Sequence, residues 1–228
     1  MPQEPSPKTK VYAVITGDIV GSTKLSPGDM AAVRTTIVRS VRDYALRRFE
    51  CRAPEFFQGD SWQLLLEEPR WAVQLALFVQ ARLLVEQNVS TRAAIGIGTA
   101  DGLEKTDANS TGEAFTLSGR ALEAMPSSFR LTGALPNTDP LAKWLPGVLH
   151  ICSALMRGWT RRQAEVVSLW LLLPSPTYES IANELAIAKQ SVGDILASAN
   201  LPALREAMAM FHATDWQRLA KSKHGRKA

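Results

Sequence analysis

Apolar and polar positions in the first half of the chain follow two periods in turn, which predicts strands that alternate with helices. Residues 11–15 form an apolar run that indicates a buried strand, and a helical stripe of apolar residues follows. The stripe consists of Met30, Val33, Ile37, Val41 and Tyr44. Residues 51–68 contain two β-prone runs around Gly59 and Asp60, a dipeptide typical of tight hairpin turns. The turn of this hairpin therefore presents a carboxylate.

The next segments repeat the alternation. Pro69 begins a helix that is apolar on most sides, and residues 91–102 return to a strand. Residues 112–125 predict another helix, and a last strand is expected at 129–132. The predicted order is βαββαβα before the last strand, which is an α/β (α+β) arrangement.

A change of composition divides the chain after this strand. Residues 125–140 contain three prolines among Ser, Thr, Asn and Asp residues, which is typical of a linker. The pattern after residue 140 predicts short helices at 141–156, 161–173, 178–185, 190–199 and 202–219. We therefore expect a flexible N-terminus at 1–10, an α/β domain at 11–136, an all-helical domain at 140–219 and a basic tail at 220–228.

Composition favours a globular protein of the cytoplasm. Hydrophobic residues make up 46% and charged residues 21% of the 228 residues. The two cysteines, Cys51 and Cys152, lack metal-ligand spacing. No segment supplies 18 consecutive uncharged apolar residues, so no contact with a membrane is expected.

Charge is distributed unevenly between the two halves. Residues 1–126 carry 14 Lys and Arg against 15 Asp and Glu, whereas residues 127–228 carry 12 against 7. The C-terminal part therefore has a net charge of +5, of which the terminal tail contributes a large share.

Two aspartates are the first candidates for chemistry. Asp18 ends the first strand, and Asp60 lies near it if that strand pairs with the hairpin. Two such carboxylates repel each other and are typical ligands of Mg²⁺, which also binds substrate phosphates. The next five residues offer backbone N–H groups and two hydroxyls to a phosphate. They are Ile19, Val20, Gly21, Ser22 and Thr23. The pattern predicts a metal-triphosphate site, with turn-forming aspartates as the alternative.

Four segments, "ITGDIVGST", "FFQGDSWQL", "TRAAIGIGTADG" and "TGEAFTLSGRALEAM", resemble the successive motifs of the class III nucleotide cyclase domain over residues 11–134. The resemblance implies a ferredoxin-like βαββαβ core and a homodimer whose sites form between protomers. It also implies that Asp18 and Asp60 bind Mg²⁺, with Mn²⁺ as an alternative, and that Arg120 stabilises the transition state.

The chain departs from that family at the remaining positions. Thr116 stands in place of an asparagine, and Phe56 in place of the lysine that reads the base; the second base-reading position falls on Asn109. Phe56 is interpreted either as a stacking platform for the base or as a core residue. These departures indicate a degenerate site that binds a purine nucleotide or cyclic nucleotide, and catalytic activity is left open.

The segment "YESIANELAIAKQSVGDIL" carries the apolar spacing of a helix-turn-helix and resembles that of sigma-factor region 4. On this resemblance Lys189, Gln190, Ser191 and Asp194 face the major groove, with Gln190 and Ser191 on base edges. Lys189, Arg161 and Arg162 are expected near phosphates. Gly193 and Asp194 weaken the DNA interpretation and favour a protein-contact module instead.

The two-domain order, with a "W-T-x-x-Q" segment between them, also resembles the SatD family. The leading hypothesis is a DNA-binding transcription regulator with a nucleotide-binding domain. The alternatives are an active class III-type cyclase coupled to a helix-turn-helix, and an interaction module with neither activity.

Overall fold

The computed structural model, which describes residues 10–48, 51–57, 59–101 and 111–222, contains a five-stranded sheet. Its strands are β1 (Val11–Ile19), β2 (Glu55–Phe57), β3 (Ser61–Leu66), β4 (Thr91–Thr99) and β5 (Leu131–Ala134). They lie in the order β2-β3-β1-β4-β5. The pairs β2–β3, β3–β1 and β1–β4 are antiparallel, and β5 is parallel to β4.

Three helices connect these strands: α1 (Pro27–Arg48), α2 (Ala72–Gln87) and α3 (Glu113–Ala124). Helix α1 joins β1 to β2 with β3 between them, and α2 joins β3 to β4 with β1 between them. Two such split βαβ units make up the ferredoxin-like arrangement. The predicted βαββαβ order is therefore confirmed. The last strand begins two residues later than predicted because Phe129 closes a turn onto the carbonyl of Pro126.

The sheet is covered on both faces, and β1 supplies side chains to each in alternation. Ala13 and Ile15 belong to the large core cluster that includes α1 and α2, whereas Val14 packs against Ala114 of α3. On the α3 side, Gly96 of β4 lies so close to the helix that a Cβ would come within 2.2 Å of the Ala114 carbonyl oxygen. The glycine thus lets α3 lie directly on β4.

Six helices follow: α4 (Leu145–Arg157), α5 (Arg161–Leu172), α6 (Tyr178–Leu185), α7 (Lys189–Ser198), α8 (Leu201–Ala213) and α9 (Arg218–Ser222). The helices predicted at 161–173, 178–185 and 190–199 are confirmed. The predicted helix at 141–156 is a 3₁₀ helix at Pro140–Lys143 followed by α4, and the predicted helix at 202–219 is two helices. Helix α8 ends at Ala213 because Trp216 folds back, with its Nε1 donating to the Phe211 carbonyl at 2.9 Å.

The C-terminal helices pack onto the α/β part of the chain. Helix α5 lies against α2 and α4 against β5, and apolar residues of both regions form one continuous buried cluster. The side chain of Gln217 accepts from the Val11 N–H at 3.0 Å and donates to the Val11 carbonyl at 3.1 Å. The boundary between residues 136 and 140 stays a prediction. No helix in the described part of the chain is both long and apolar enough to cross a membrane.

We expect Gly96→Ala to destabilise the protein by about 2 kcal/mol, because the added methyl group overpacks the contact between β4 and α3. Gly119→Ala is the matched control, since its Cβ would meet no atom within 4 Å and alanine favours a helix by up to about 1 kcal/mol. Urea unfolding measures both. Equal stabilities of the two variants would contradict the close contact at Gly96.

Candidate functional site

Strand pairing brings three charged residues to one end of the sheet. The β1–β3 register places Asp18 opposite Ser61, the residue that follows Asp60. The β1–β4 register places Arg92 opposite Asp18 on the other side. The first strand therefore lies beside the hairpin, as predicted, and its end carries Asp18 between Asp60 and Arg92.

Asp18 forms a bidentate ion pair with Arg92. The Arg92 Nε donates to Asp18 Oδ1 at 2.9 Å, and Nη2 donates to Oδ2. This hydrogen bond is the largest cause that raises the pKa of Arg92 above its ordinary value, and the charges of Asp18 and Asp60 add to it. Arg92 thus occupies both carboxylate oxygens of Asp18, a predicted metal ligand.

The loop after β1 is joined to the hairpin turn through Asp60. Gly21 adopts the left-handed conformation with φ of 73°, and a short 3₁₀ turn at Ser22–Lys24 follows it. The Ser22 hydroxyl donates to Asp60 Oδ2 at 2.5 Å. Ser22 and Asp60, which were predicted from separate motifs, therefore belong to one cluster.

A groove of 720 Å³ opens beside this cluster, between the loop, the start of α1 and the hairpin turn. Its lining includes Ser22, Thr23, Leu25, Met30, Arg34 and Asp60. The Arg34 guanidinium donates to the Gly59 carbonyl and lies 5.5 Å above the Phe56 ring. Its buried Nε has no hydrogen-bond partner among the described residues. The groove combines hydroxyls, a carboxylate and a guanidinium with an apolar floor.

Phe56 and Ile19 lie on the other face of the sheet. Phe56 is opposite Trp62, which is buried in the main core, whereas Asp18 is opposite Ser61. Ile19 is itself part of that core, and Val20 is exposed. The structure does not bring Phe56 to Asp18, and its predicted stacking on a base stays a prediction.

The predicted helix residues Thr116 and Arg120 are exposed on α3. The Thr116 hydroxyl donates to the Gly112 carbonyl at 3.1 Å. In the described part of the chain, no hydrogen bond or ion pair joins Thr116 or Arg120 to the aspartates. Asn109 lies outside the described residues.

The oxygen atoms at this end of the sheet are suitable ligands for a magnesium ion that is bound to a phosphate. Asp60 and the Ser22 hydroxyl are hard oxygen donors, and Mg²⁺ commonly uses one or two carboxylates together with substrate phosphates. Asp18 fits only if Arg92 releases it. No group of three or more His, Cys, Asp or Glu able to hold a metal occurs among the described residues.

Helices α6 and α7 carry the predicted helix-turn-helix residues. Three residues separate the helices, and Ala186 takes the left-handed conformation with φ of 50°. Lys189, Gln190 and Asp194 are exposed, and Ser191 is half-buried. A Cβ at Gly193 would lie 3.3 Å from the Tyr178 ring, so this glycine permits the two helices to pack closely.

Arg161 and Arg162 begin α5, next to the helix pair. Both are exposed, and Arg162 forms an ion pair with Glu165 at 2.5 Å. Gln163 donates to the Ser198 hydroxyl at 3.0 Å, which ties the start of α5 to the end of α7. The start of α5 and helix α7 are therefore held together.

Comparisons with known proteins show a weak likeness to solved structures. No family model matches the chain, and no curated protein matches it. Among solved structures, the chain is similar to a bacterial light-regulated adenylyl cyclase, with 14% identity and a TM-score of 0.44. The match covers 56% of this chain and 77% of that one.

Replacing Arg92 tests its competition with a metal for Asp18. We expect Arg92→Gln to strengthen Mg²⁺ binding, because the bidentate partner of Asp18 is removed. Stability without metal should fall by about 1–3 kcal/mol, since a partly buried carboxylate loses its charged hydrogen bonds. Calorimetric titration with Mg²⁺ and urea unfolding measure the two effects.

The control is Arg42→Gln, which removes a guanidinium whose nearest carboxylate, Asp43, is 3.6 Å away at the surface. Arg42→Gln should change neither the affinity for Mg²⁺ nor the free energy of unfolding. Weaker Mg²⁺ binding in Arg92→Gln than in the native protein would show that Arg92 helps to form the site instead of competing for it.

Proposed function

We propose that this protein is a DNA-binding transcription regulator whose cyclase-like domain binds a purine nucleotide or cyclic nucleotide together with Mg²⁺. The observation that carries the proposal is the juxtaposition of Asp18, Asp60 and Ser22 at one end of the sheet, beside an open groove. Two carboxylates, a hydroxyl and a nearby guanidinium are the groups that recognise a metal-bound phosphate.

Each group in the cluster has a distinct role in this proposal. Asp60 and Asp18 hold the ion, which neutralises phosphate charge when bound. Ser22 exchanges its hydrogen bond to Asp60 for one to a phosphate oxygen. Arg92 moves from Asp18 to the phosphate, for which its planar guanidinium is equally suited. The ion pair of the free protein thus becomes two separate contacts with the ligand.

The groove beside Asp60 would hold the base and sugar of the nucleotide. Its volume of 720 Å³ is in the range of small-molecule sites, about 300–1,000 Å³. Leu25 and Met30 offer apolar contacts, and Arg34 offers a guanidinium. Gly59 and Phe56 already hold Arg34 in place.

Thr116 and Arg120 suit a site that binds a nucleotide without cyclising it efficiently. Thr116 occupies the position of the family's asparagine, and its hydroxyl is engaged with the Gly112 carbonyl. Thr116 and Arg120 face outward on α3, which suits the proposed homodimer, in which they would serve the partner's site. The weak cyclase likeness itself adds nothing to this proposal.

The helix-turn-helix is proposed to read DNA through α7. Lys189 and Gln190 are exposed at its first turn, where a recognition helix meets the bases. The described surface of α6 and α7 also carries Glu179, Glu184 and Asp194, so non-specific attraction to phosphates is small. Binding should therefore depend on a specific sequence.

Thermal denaturation tests the nucleotide site. In the presence of Mg²⁺, the ligand among ATP, GTP, cyclic AMP and cyclic GMP that fits should raise the Tm of the native protein. At 100 times its Kd the gain is about 2.7 kcal/mol, because the ligand binds only the folded state. Asp18→Asn and Asp60→Asn should lose the gain, whereas Glu123→Gln, which removes an exposed carboxylate of α3, should keep it. A gain of equal size in Asp60→Asn would refute the site.

Selection from a random DNA pool tests the other half of the proposal. Lys189→Ala should weaken binding to every sequence and reduce the salt slope by roughly one unit, because it removes a phosphate contact. Gln190→Ala should instead relax discrimination at one position by about 1–3 kcal/mol. Lys143→Ala, an exposed lysine outside the helix pair, is the control. If no sequence is enriched with or without nucleotides, α6 and α7 form a protein-contact module.

A further inference from the structure

A second cavity lies where the C-terminal helices meet the α/β part, on α1, α2, α5 and α8. It has a volume of 380 Å³, and we refer to it as the seam cavity. Its lining includes Arg48, Gln74, Trp170, Arg205, Glu206 and His212. None of these residues belongs to the cluster at Asp18 and Asp60.

Two guanidiniums of the seam cavity, half-buried Arg48 and exposed Arg205, lie against neutral partners. Arg48 donates to the Leu173 carbonyl at 2.6 Å and lies 5.2 Å from the Trp71 ring centre. Arg205 lies 5.3 Å from the ring centre of Trp170. Within the described part of the chain, neither guanidinium has a salt bridge. Among the described residues, therefore, no carboxylate lies in salt-bridge contact with either charge.

The remaining polar groups of the seam cavity add hydrogen-bonding capacity rather than positive charge. His212 packs edge-on against Trp71 with ring centres 4.1 Å apart. Burial, followed by the charges of Arg70 and Arg48, lowers the pKa of His212, which shows that this side chain senses the nearby cations. Glu206 is the one carboxylate among the described lining residues. The cavity thus has an excess of cationic and hydrogen-bonding groups.

We propose that the seam cavity binds a small phosphomonoester. Arg48 and Arg205 would hold the phosphate through charge-assisted hydrogen bonds. Gln74, which already donates to the Leu171 carbonyl at 2.9 Å, and Glu206 would meet hydroxyl groups on the body of the ligand. A volume of 380 Å³ exceeds that of a bare phosphate and suits a short phosphorylated molecule.

The location gives the site a structural consequence. Arg48 and Gln74 come from α1 and α2, whereas Arg205 comes from α8. A phosphate held by both sides links the C-terminal helices to the α/β part. The site is independent of the nucleotide proposal, and either can fail alone.

Calorimetric titration of the full chain with inorganic phosphate and with glycerol 3-phosphate, at constant ionic strength, tests the proposal. Both should bind saturably, and glycerol 3-phosphate more tightly. Arg205→Gln should weaken binding of both probes about tenfold, whereas Glu206→Gln should strengthen binding of inorganic phosphate, which loses a repelling carboxylate and has no carbon-bound hydroxyl for Glu206 to contact. Arg42→Gln, an exposed arginine of α1 outside the cavity, should bind within twofold of the native protein.

Three results would overturn the proposal. They are no saturable binding of either probe, equal affinity in Arg205→Gln and the native protein, or equal binding of acetate. Tryptophan emission locates the site independently, because Arg205 lies over Trp170. The phosphate-induced change should shrink in Trp170→Phe, with Trp71 beside Arg48 accounting for what remains, and a change of undiminished size would place the phosphate elsewhere.

Discussion

The central position of β1 constrains everything else in the structure. β1 is hydrogen-bonded to β3 on one side and to β4 on the other, so both registers are fixed by one strand. A slip of one residue would turn Ala13 and Ile15 away from the core and Asp18 into it. Burial of the apolar face of β1 therefore fixes the register that places Asp18 opposite Arg92 and next to the hairpin turn of Asp60.

Helices α1 and α2, which cover the sheet, hold the C-terminal helices through two polar side chains. Arg48 and Gln74, from α1 and α2, donate to the carbonyls of Leu173 and Leu171 at the end of α5. The last carbonyls of a helix lack partners within it, so these side chains complete α5 from outside. The short segment to α6 begins there. The C-terminal helices are thus packed against α1 and α2.

Sequence periodicity predicted the strands and most helices because each buries one regular apolar face. It also predicted that β1 lies beside the hairpin, which places Asp18 opposite Ser61, the residue after Asp60. Arg92 was missed because its meeting with Asp18 depends on the register of a strand distant in sequence. The one available signal was a charged residue inside the otherwise apolar run at 91–98.

Other misses have equally local causes. The break after Ala213 depends on Trp216 folding onto Phe211, a tertiary contact that helical periodicity does not encode. Arg34 lies beside the apolar stripe of α1 and looks like an ordinary surface residue until the hairpin turn is placed next to it. Gly193 looked unfavourable for a helix, yet the Tyr178 ring occupies the space that it leaves.

The central claim is that the carboxylates at the end of β1 and at the hairpin turn hold a divalent ion together with a nucleotide. Electron paramagnetic resonance of Mn²⁺, titrated into the native protein with and without the nucleotide, tests it most directly. The account predicts tight Mn²⁺ binding only when nucleotide is present, and none in Asp60→Asn, because two carboxylates alone leave the coordination incomplete. Mn²⁺ binding that is indifferent to both the nucleotide and Asp60 would contradict it.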